Sequence, residues 1–396
     1  MIGEQNKSIM EEVKMANIWE HPSIIAAEAL RHLEDALVIA PLCARDTTSE
    51  FTNRSNGWKV GDTVSFRTHG EYEVKDFAGS ISAQDITTSS RALSIEKHYD
   101  ISVQVTAREL ALDLDSFSEQ VIRPSTYKLA ETIDTYLGTK ILQAAGLYAS
   151  DNLFTTAADI ALARKAAILQ QLAMNRFCLI DLDTEATLLG QEWFNQQQTR
   201  GNDGTNTLRS ADMGYTMGMD FFSSIAFPTQ AHTAGTMVCV TNNDGGAANL
   251  IGNTTLTVDT QTAGQTLAAG DRLAIAGVRR PLVVKTAIAD TSATTSVALV
   301  DPITELIPDD AAVTVVGSGQ AMTYRGAIFD DRSLAVAFPM LDLPEDKVSA
   351  VASNNGVSIR IVKGYDLNSK TTTMSLDLLV GSFMLDPRRT TLLAGY

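Results

Sequence analysis

The stretch TLTVDTQTAGQTLAAGDRLAIAGV, residues 255–278, reads as two short strands separated by turns, and it contains no catalytic pattern. Similar runs follow it, including "LVVKTAI" and "AAVTVVG", and Thr, Ala, Gly, Val and Asp dominate the composition throughout. Residues 229–325 therefore predict a small antiparallel barrel or sandwich. Because the sequence on both sides has a different character, this region predicts a folded unit inserted into a surface loop of a host domain.

The host segments combine helical and strand patterns, which predicts an α+β fold. A long helix is expected from Pro124, because proline suits a first helical turn and an apolar stripe follows at helical spacing. The stripe consists of Leu129, Ile133, Leu137, Ile141 and Ala144. "ADIALARKAAILQQLAM" predicts a second helix, "RFCLIDL" a buried strand, and "DTEATLLGQEWFNQQ" a further helix.

The N-terminal region predicts an amphipathic helix that starts near Pro22 and ends near Pro41. Its apolar positions are Ile24, Ile25, Ala29, Leu33 and Leu37. Residues 1–14 are polar, and "EEVKM" can be encoded by a purine-rich stretch like a ribosome-binding site before a start codon. We expect residues 1–14 to be absent from the natural product or to form a tail; the alternative is an ordinary N-terminal arm.

Residues 51–112 have the alternating pattern of strands. "GDTVSFRTHGEYEVKDFAG" and "LSIEKHYDISVQVTAREL", joined by a polar linker, predict a long two-stranded excursion. A lone hairpin is marginally stable in water, so we expect the excursion to lean on a partner. Its charged residues are candidates for that contact: Arg67, Glu71, Glu73, Lys75 and Asp76.

Charge and composition exclude several classes of protein. The chain of 396 residues carries a net charge of −16 and has no Lys/Arg run, which argues against unassisted nucleic-acid binding. No apolar run is long enough to cross a bilayer and no signal-peptide pattern occurs, so we expect a soluble protein made in the cytoplasm, without a membrane partner. Cys43, Cys178 and Cys239 are far apart, which predicts buried thiols rather than disulfides or a zinc site.

Candidate catalytic residues have simpler structural explanations. The five histidines, His21, His32, His69, His98 and His232, are isolated in the sequence. Asp181 and Asp183 follow a strand, where phosphoryl-transfer carboxylates can lie, but a helix cap by Asp183 or Thr184 is the simpler interpretation. The sequence therefore predicts no enzyme, no cofactor and no metal site.

Three segments follow one another along the chain: "LRSADMGYTMGMDFFSSIAFPT", "SLAVAFPMLDLPED" and "LDLLVGSFMLDPRRTTLLAG". In this order they resemble segments of the phage major capsid proteins of the Hong Kong 97-type fold. "LRSADMGYTMGMDFFSSIAFPT" resembles the edge strand before that family's apical loop, with Gly218 at the turn. "SLAVAFPMLDLPED" resembles the segment after the loop, and "LDLLVGSFMLDPRRTTLLAG" the C-terminal strand and its closing turn. The charged excursion is similar to the family's extended loop, and the helix from Pro124 to its spine helix.

The inserted region narrows the resemblance. "NNDGGAANLIGNTTLTVDTQTAGQTLAAGDRLAIAGV" resembles the insertion domain of coat proteins typified by the short-tailed Salmonella phage. In that family the domain is a small β-barrel on the outer surface that helps the subunit fold, and one loop reaches a neighbour through charge pairs. Asp244 lies in the matching loop, but Gly246, Ala247 and Ala248 stand where a basic residue is expected. The sequence therefore lacks the basic partner that this charge pairing uses.

The resemblance implies a domain order and a function. The implied parts are an N-terminal arm and helix (1–50), an extended loop with strands of a peripheral domain (51–112), a spine helix (113–160), the first part of an axial domain (161–228), the inserted β-barrel (229–325) and the return to axial and peripheral domains (326–396). It implies a subunit that assembles into pentamers and hexamers of an icosahedral virion shell in the host cytoplasm, with scaffolding and portal proteins as partners. The shell would enclose double-stranded DNA without sequence-specific binding.

Two other functions stay open at this point. A bacterial encapsulating shell protein shares the fold but encloses enzymes, and the inserted unit argues against it. A surface-binding β protein with a helical stalk would use the insertion for adhesion, and the lack of a secretion signal argues against that.

Overall fold

The computed structural model describes residues 22–45, 63–67, 90–106, 118–151, 153–170, 172, 175–196, 201–243, 249–259, 264–288, 295–344, 347–367 and 369–396. These residues form helices and strands that alternate irregularly along the chain, with the strands gathered into separate sheets. The architecture is α+β, as the sequence predicts.

Helices in the described residues are α1 (Pro22–Ala36), α2 (Arg123–Ile141), α3 (Ala157–Leu169), α4 (Leu182–Leu189), α5 (Glu192–Asn195) and α6 (Asn202–Ser210). The long predicted helix is α2, which has Pro124 in its first turn and follows a π-helical turn, Ser118–Ile122. All five residues of its predicted stripe are buried. In α1 the predicted stripe is also buried, except that Ile24 is 49% exposed.

The β19 sheet is named here for its longest strand. It consists of β3 (Lys97–Thr106), β16 (Leu334–Ala337), β17 (Val348–Asn354), β18 (Val357–Asp366) and β19 (Thr371–Met384). β19 is central, because the same residues of it pair with β18 on one side and β3 on the other. Its alternate residues Leu376, Leu378 and Val380 are buried in the core that α1 and α2 share. Period-two alternation thus directs one face of the sheet to the helices.

The β15 sheet is also named for a central strand. It consists of β4 (Gly146–Ser150), β5 (Phe177–Ile180), β6 (Tyr215–Thr216), β7 (Met219–Ser223), β8 (Gln230–Thr233), β15 (Ala321–Phe329) and β20 (Thr390–Gly395). Ile160, Leu188 and Phe194, from α3, α4 and α5, are buried against one face. Met217 and Gly218 both have positive φ between β6 and β7, so Gly218 does mark a tight hairpin turn.

The inserted sheet is formed by β9 (Val238–Thr241), β10 (Thr255–Asp259), β11 (Arg272–Ile275), β12 (Leu282–Val283), β13 (Thr295–Ala298) and β14 (Ala312–Val315), in the order β12-β11-β14-β9-β10-β13. Its two end strands also meet. Val284 and Leu299 form a bridge, and the Lys285 N–H donates to Ala298 O at 2.8 Å. Alternate apolar residues point inward, among them Leu256 and Leu273, which are fully buried. The opening stretch thus supplies two strands, β10 and β11.

The prediction of a two-stranded excursion is wrong about which strands pair with each other. β1 (Thr63–Arg67) pairs antiparallel with β2 (Ser90–Ser94), not with the strand predicted at residues 95–105. That second strand is β3, which pairs with β19 instead. The alternation of apolar residues in "LSIEKHYDISVQVTAREL" reports a half-buried strand, but it does not specify the partner strand.

The predicted cap of α4 is also wrong. Asp181, rather than Asp183 or Thr184, caps the helix, because its Oδ1 accepts from the Thr184 N–H at 3.0 Å. A side chain at the N-cap satisfies an N–H of the first turn only from the extended residue just before the helix, and the strand before α4 ends one residue before Asp181.

A buried carboxylate ties the N-terminal segment to the long helix. Asp134 of α2 is 2% exposed, and it accepts from the Val38 N–H at 2.8 Å and the Ile39 N–H at 3.2 Å. Further along the same segment, the Ala44 N–H donates to Leu334 O at 3.0 Å, which adds the segment to the edge of β16. Burial raises the pKa of Asp134 to about 6, although the backbone N–H donors oppose the shift.

This raised pKa predicts how the segment responds to pH. The folded protein holds a proton on Asp134 below about pH 6, whereas the unfolded chain releases it near the ordinary value of 3.8. The protonated carboxyl therefore stabilises the folded state fully below pH 3.8, and this stabilisation is lost as the pH rises through 6. As the pH rises from 4 to 7, we expect the free energy of unfolding of Asp134→Asn to increase relative to that of wild type, by up to about 3 kcal/mol.

Urea unfolding of both proteins across this pH range measures the difference. Asp134→Ala removes the acceptors for the two N–H groups and should be destabilised at every pH. A difference between Asp134→Asn and wild type that does not vary with pH would contradict the assignment.

Candidate functional site

The base of the β1–β2 hairpin is fixed on β19. The rings of Phe66 and Phe383 stack with centroids 5.6 Å apart. A Cβ at Gly381 would lie 2.4 Å from Ser94 O, so glycine permits the close crossing of β2 over β19. The described part of the hairpin, β1 and β2, is therefore packed on β19.

The predicted contact residues are only partly placed by the structure. Arg67 is the last residue of β1, where its backbone is paired with Ser90. Glu71, Glu73, Lys75 and Asp76 lie outside the described residues, and so does Asp244 of the insertion. Their role in contacts between subunits stays a prediction.

A buried asparagine joins the described residues on either side of positions 244–248. Asn249 is fully buried, and its side-chain N–H groups donate to Asn242 O at 2.9 Å and Thr257 O at 3.1 Å. Its Oδ1 accepts from the Thr257 N–H at 2.8 Å, and its backbone N–H donates to Asn243 Oδ1. The side chain therefore fixes both ends of the loop at the start of β10, and sequence reasoning missed it because a single Asn in a polar run is not distinctive.

An apolar rim projects from this end of the inserted sheet. Leu250, Ile251 and Leu306 are 49%, 42% and 64% exposed. Their two loops are joined, since the Gly252 N–H donates to Ile303 O and the Ile303 N–H to Asn253 O, both at 2.8 Å. Large apolar side chains held exposed on rigid backbone are typical of surfaces that bind another protein.

A groove of about 340 Å³ lies between α2 and β3. Tyr99, Tyr136, Lys128 and Glu131 line it together with three threonines of α2. Each threonine hydroxyl donates to a carbonyl of its own helix, so the threonines have no free hydroxyl hydrogen for a small polar ligand. The groove lacks the convergent polar groups of a substrate site.

The carboxylates and histidines singled out from the sequence take part in structural pairs. Arg325 Nη1 lies 3.1 Å from Asp181 Oδ2 and 3.2 Å from Asp183 Oδ2. The imidazole Nε2 of His98 is 3.2 Å from Asp377, and that of His232 is 2.8 Å from Asp271. His21 and His69 lie outside the described residues.

The cysteine thiols are buried, and burial raises the pKa of each, that of Cys239 to about 11.

Across the described part of the chain, no group of three His, Cys, Asp or Glu side chains is placed to hold a metal ion. The described helices include none with both the length and the apolar character to cross a membrane.

Comparison with known proteins identifies the fold. A structure of Mycobacterium phage Che8 is 12% identical in sequence, covers 90% of each chain and gives a TM-score of 0.50. The capsids of cyanophage P-SCSP1u and Ralstonia phage GP4 are 13% and 9% identical over 85% of this chain and 84% of theirs, with TM-scores of 0.45 and 0.46. No protein-family model and no curated protein matches the chain. The Che8 likeness shows the fold alone, and the predicted α+β fold of the Hong Kong 97 type is confirmed.

The Asn249 network generates a prediction. Asn249→Asp keeps the size and one acceptor but loses both side-chain donors, so Asn242 O and Thr257 O lose their partners and a charge is buried. Each lost bond to a buried group costs about 1–3 kcal/mol. We expect the midpoint of urea unfolding to fall clearly, whereas Asn206→Asp, the same change at an exposed position of α6, should leave it in place. Equal midpoints for the two variants would contradict a structural role for Asn249.

Proposed function

We propose that the protein is a major capsid protein, a structural subunit that assembles with many copies of itself into a closed icosahedral shell around double-stranded phage DNA. The observation that carries this proposal is the likeness of fold to the phage Che8 chain over nine-tenths of both chains. The function follows from assembly rather than from chemistry, so the subunit needs rigid surfaces for its neighbours and no active site.

The exposed features of the fold are consistent with many contacts between copies. β1 of the hairpin packs on β19, and the apolar rim extends from the inserted sheet. These two features lie far apart in the sequence. A shell built of one protein requires several different surfaces on each subunit, because contacts within a ring are heterologous. By resemblance, we further propose that the subunits form pentamers and hexamers and that scaffolding and portal proteins are their partners. Assembly would take place in the host cytoplasm.

The charge of the chain suits a container for DNA. A net charge of −16 disfavours tight binding of the protein to phosphates, so packaged DNA would not adhere strongly to the wall. Sequence-specific recognition of DNA is not part of the proposal, since no basic run occurs in the chain.

The inserted sheet supports the proposed subfamily with an inserted barrel. Hydrogen bonds join its two end strands, and apolar residues fill its interior, as in a small closed β-barrel. We assign it the role of a domain that folds from a contiguous stretch and stabilises the host. Asp244, in the loop anchored by Asn249, is its candidate contact with a neighbouring subunit.

Electron microscopy and sedimentation of the expressed full chain, alone and with the proteins of neighbouring genes, test the proposed function. We expect closed shells, and particles from the natural source should protect DNA from nuclease. Shells that contain enzymes and no nucleic acid would indicate the encapsulating-compartment alternative. Isolated monomers under all conditions would contradict a shell function and favour the surface-binding β protein.

The hairpin charges give a more specific prediction. We expect reversal of Glu71 and Glu73 to Lys to leave the subunit folded but to impair shell formation, because each weakened contact is repeated around the lattice. Exposed ion pairs contribute only about 0–1 kcal/mol each to one subunit, so circular dichroism and thermal melting should stay near wild type. Sedimentation should move from shells to free subunits.

A matched control reverses two exposed acids outside the hairpin, Asp151 and Glu192, which changes the net charge equally. This variant should still form shells. Normal shells from the Glu71/Glu73 variant would mean that these charges face water. The contact would then rest on Val74 and Phe77, since Phe66 is already stacked on Phe383 of its own chain.

A further inference from the structure

The inserted sheet joins the rest of the protein through a two-stranded ribbon. β8 leads into the insertion and the first half of β15 leads out, and these two segments pair antiparallel from Gln230 to Thr233. The chain touches the long helix just before β8, where a Cβ at Gly138 would lie 2.3 Å from Pro228 Cδ. Among the described residues, β20 joins this ribbon from Thr323 onward, so the segment nearest the insertion, at Ala321 and Met322, is held by β8 alone. A two-stranded segment is marginally stable by itself, so a further attachment helps to hold the sheet in one orientation.

Arg272 of β11 makes that attachment. Its side chain leaves the inserted sheet and is 3% exposed. Nη2 donates to Ala144 O at 2.9 Å and to Leu142 O at 3.3 Å, the carbonyls that follow the last residue of α2. Leu142 is the C-cap of α2, so its carbonyl lies at the negative end of the helix dipole, which attracts a guanidinium. Ala144 O belongs to the turn that follows the helix.

The other half of the guanidinium is held by the ribbon and the insertion. Nη1 donates to Gly270 O and to the Tyr324 hydroxyl, both at 2.6 Å, and the guanidinium lies over the Tyr324 ring at 5.3 Å. Tyr324 belongs to β15, so Arg272 joins three elements: the inserted sheet, the ribbon and the end of α2. Burial lowers the pKa of this arginine, which reflects how completely water is excluded.

The neighbouring Asp271 fixes the backbone from which Arg272 extends. Its fully buried carboxylate accepts from the Ala268 N–H at 2.7 Å and the Gly235 N–H at 3.1 Å. It also contacts His232 of β8 at 2.8 Å, and the His232 ring stacks on Tyr324 with centroids 5.8 Å apart. Asp271, just before β11, therefore binds the ribbon, whereas Arg272, the first residue of β11, binds the end of α2.

We infer that Arg272 is a positioning residue that binds the carbonyl end of α2 and thereby fixes the orientation of the inserted sheet relative to the long helix. A displacement of the end of α2 is then transmitted to the inserted sheet, and the reverse also holds. The inference concerns a single chain and does not rest on shell formation.

Distance measurements between spin labels test this role in the full chain. Labels at Ser296→Cys in β13 and Lys128→Cys in α2 occupy exposed positions, and the native cysteines are buried. The labelled chain is diluted into unlabelled chain, so that only distances within one molecule are recorded. We expect one narrow distance distribution for the labelled protein that keeps Arg272, and a distribution at least twofold broader for Arg272→Met. Arg272→Lys can still donate to the carbonyls at the end of α2, so the width of its distribution should be closer to wild type.

Hydrogen exchange on the same variants separates positioning from folding. Arg272→Met should accelerate exchange at residues 142–146 while the amides of β10 and β14 stay protected. An unchanged distance width would overturn the inference, because the ribbon alone would then set the orientation. Loss of protection in β10 and β14 would also overturn it, by showing that Arg272 is required for the fold of the inserted sheet itself. Failure of Arg272→Lys to narrow the distribution would show that side-chain packing, not donation to the carbonyls, holds the sheet.

Discussion

Strand β15 carries hydrogen bonds to three strands from distant parts of the chain, and the rest of the architecture depends on that pairing. Its first half pairs with β8, its second half with β5, and β20 runs along most of its length. The bulge beside Gly326 shifts the register between the two halves. A Cβ at Gly326 would lie 2.4 Å from Leu179 O, so the close approach of β5 requires glycine. The strand that enters the insertion and the C-terminal strand therefore both pair with the strand that leaves the insertion.

This arrangement explains how an inserted unit can help its host to fold. β5 and β15 are separated by the whole insertion, and β3 and β19 by most of the chain, so these pairs form slowly from an open chain. The strands of the inserted sheet lie in one contiguous stretch. Once that sheet forms, Thr233 and Ala321 are opposite each other. The loop that must close before β15 meets β5 is then much shorter, which lowers its entropic cost.

The sequence predicts the elements of this fold better than their partners. The stripe of α2 and the alternation in the insertion are local patterns, and both are borne out by buried residues. The pairing of β1 with β2, and of β3 with β19, depends on residues far away, which local alternation does not encode. The predicted caps, Asp183 or Thr184, lie two or three residues beyond the observed cap at Asp181, since the end of the strand decides which carboxylate can reach the first turn. Most of the charged residues predicted to contact a neighbouring subunit lie outside the described residues, so this part of the candidate site stays a prediction.

Arg272 shows a different limit of sequence reasoning. It lies inside the stretch that reveals the insertion, as part of "GDRLAIAGV", yet an arginine after a turn is ordinary in a short strand. Its role depends on the end of α2, which is more than a hundred residues earlier in the chain. An apolar residue there would avoid the cost of burying a charge, so stability alone does not favour arginine. Apolar contacts are non-directional and tolerate sliding, whereas the bonds of Arg272 to three carbonyls and one hydroxyl define a single geometry. The stretch without catalytic residues thus contains the side chain best placed to hold the inserted sheet in one orientation on its host.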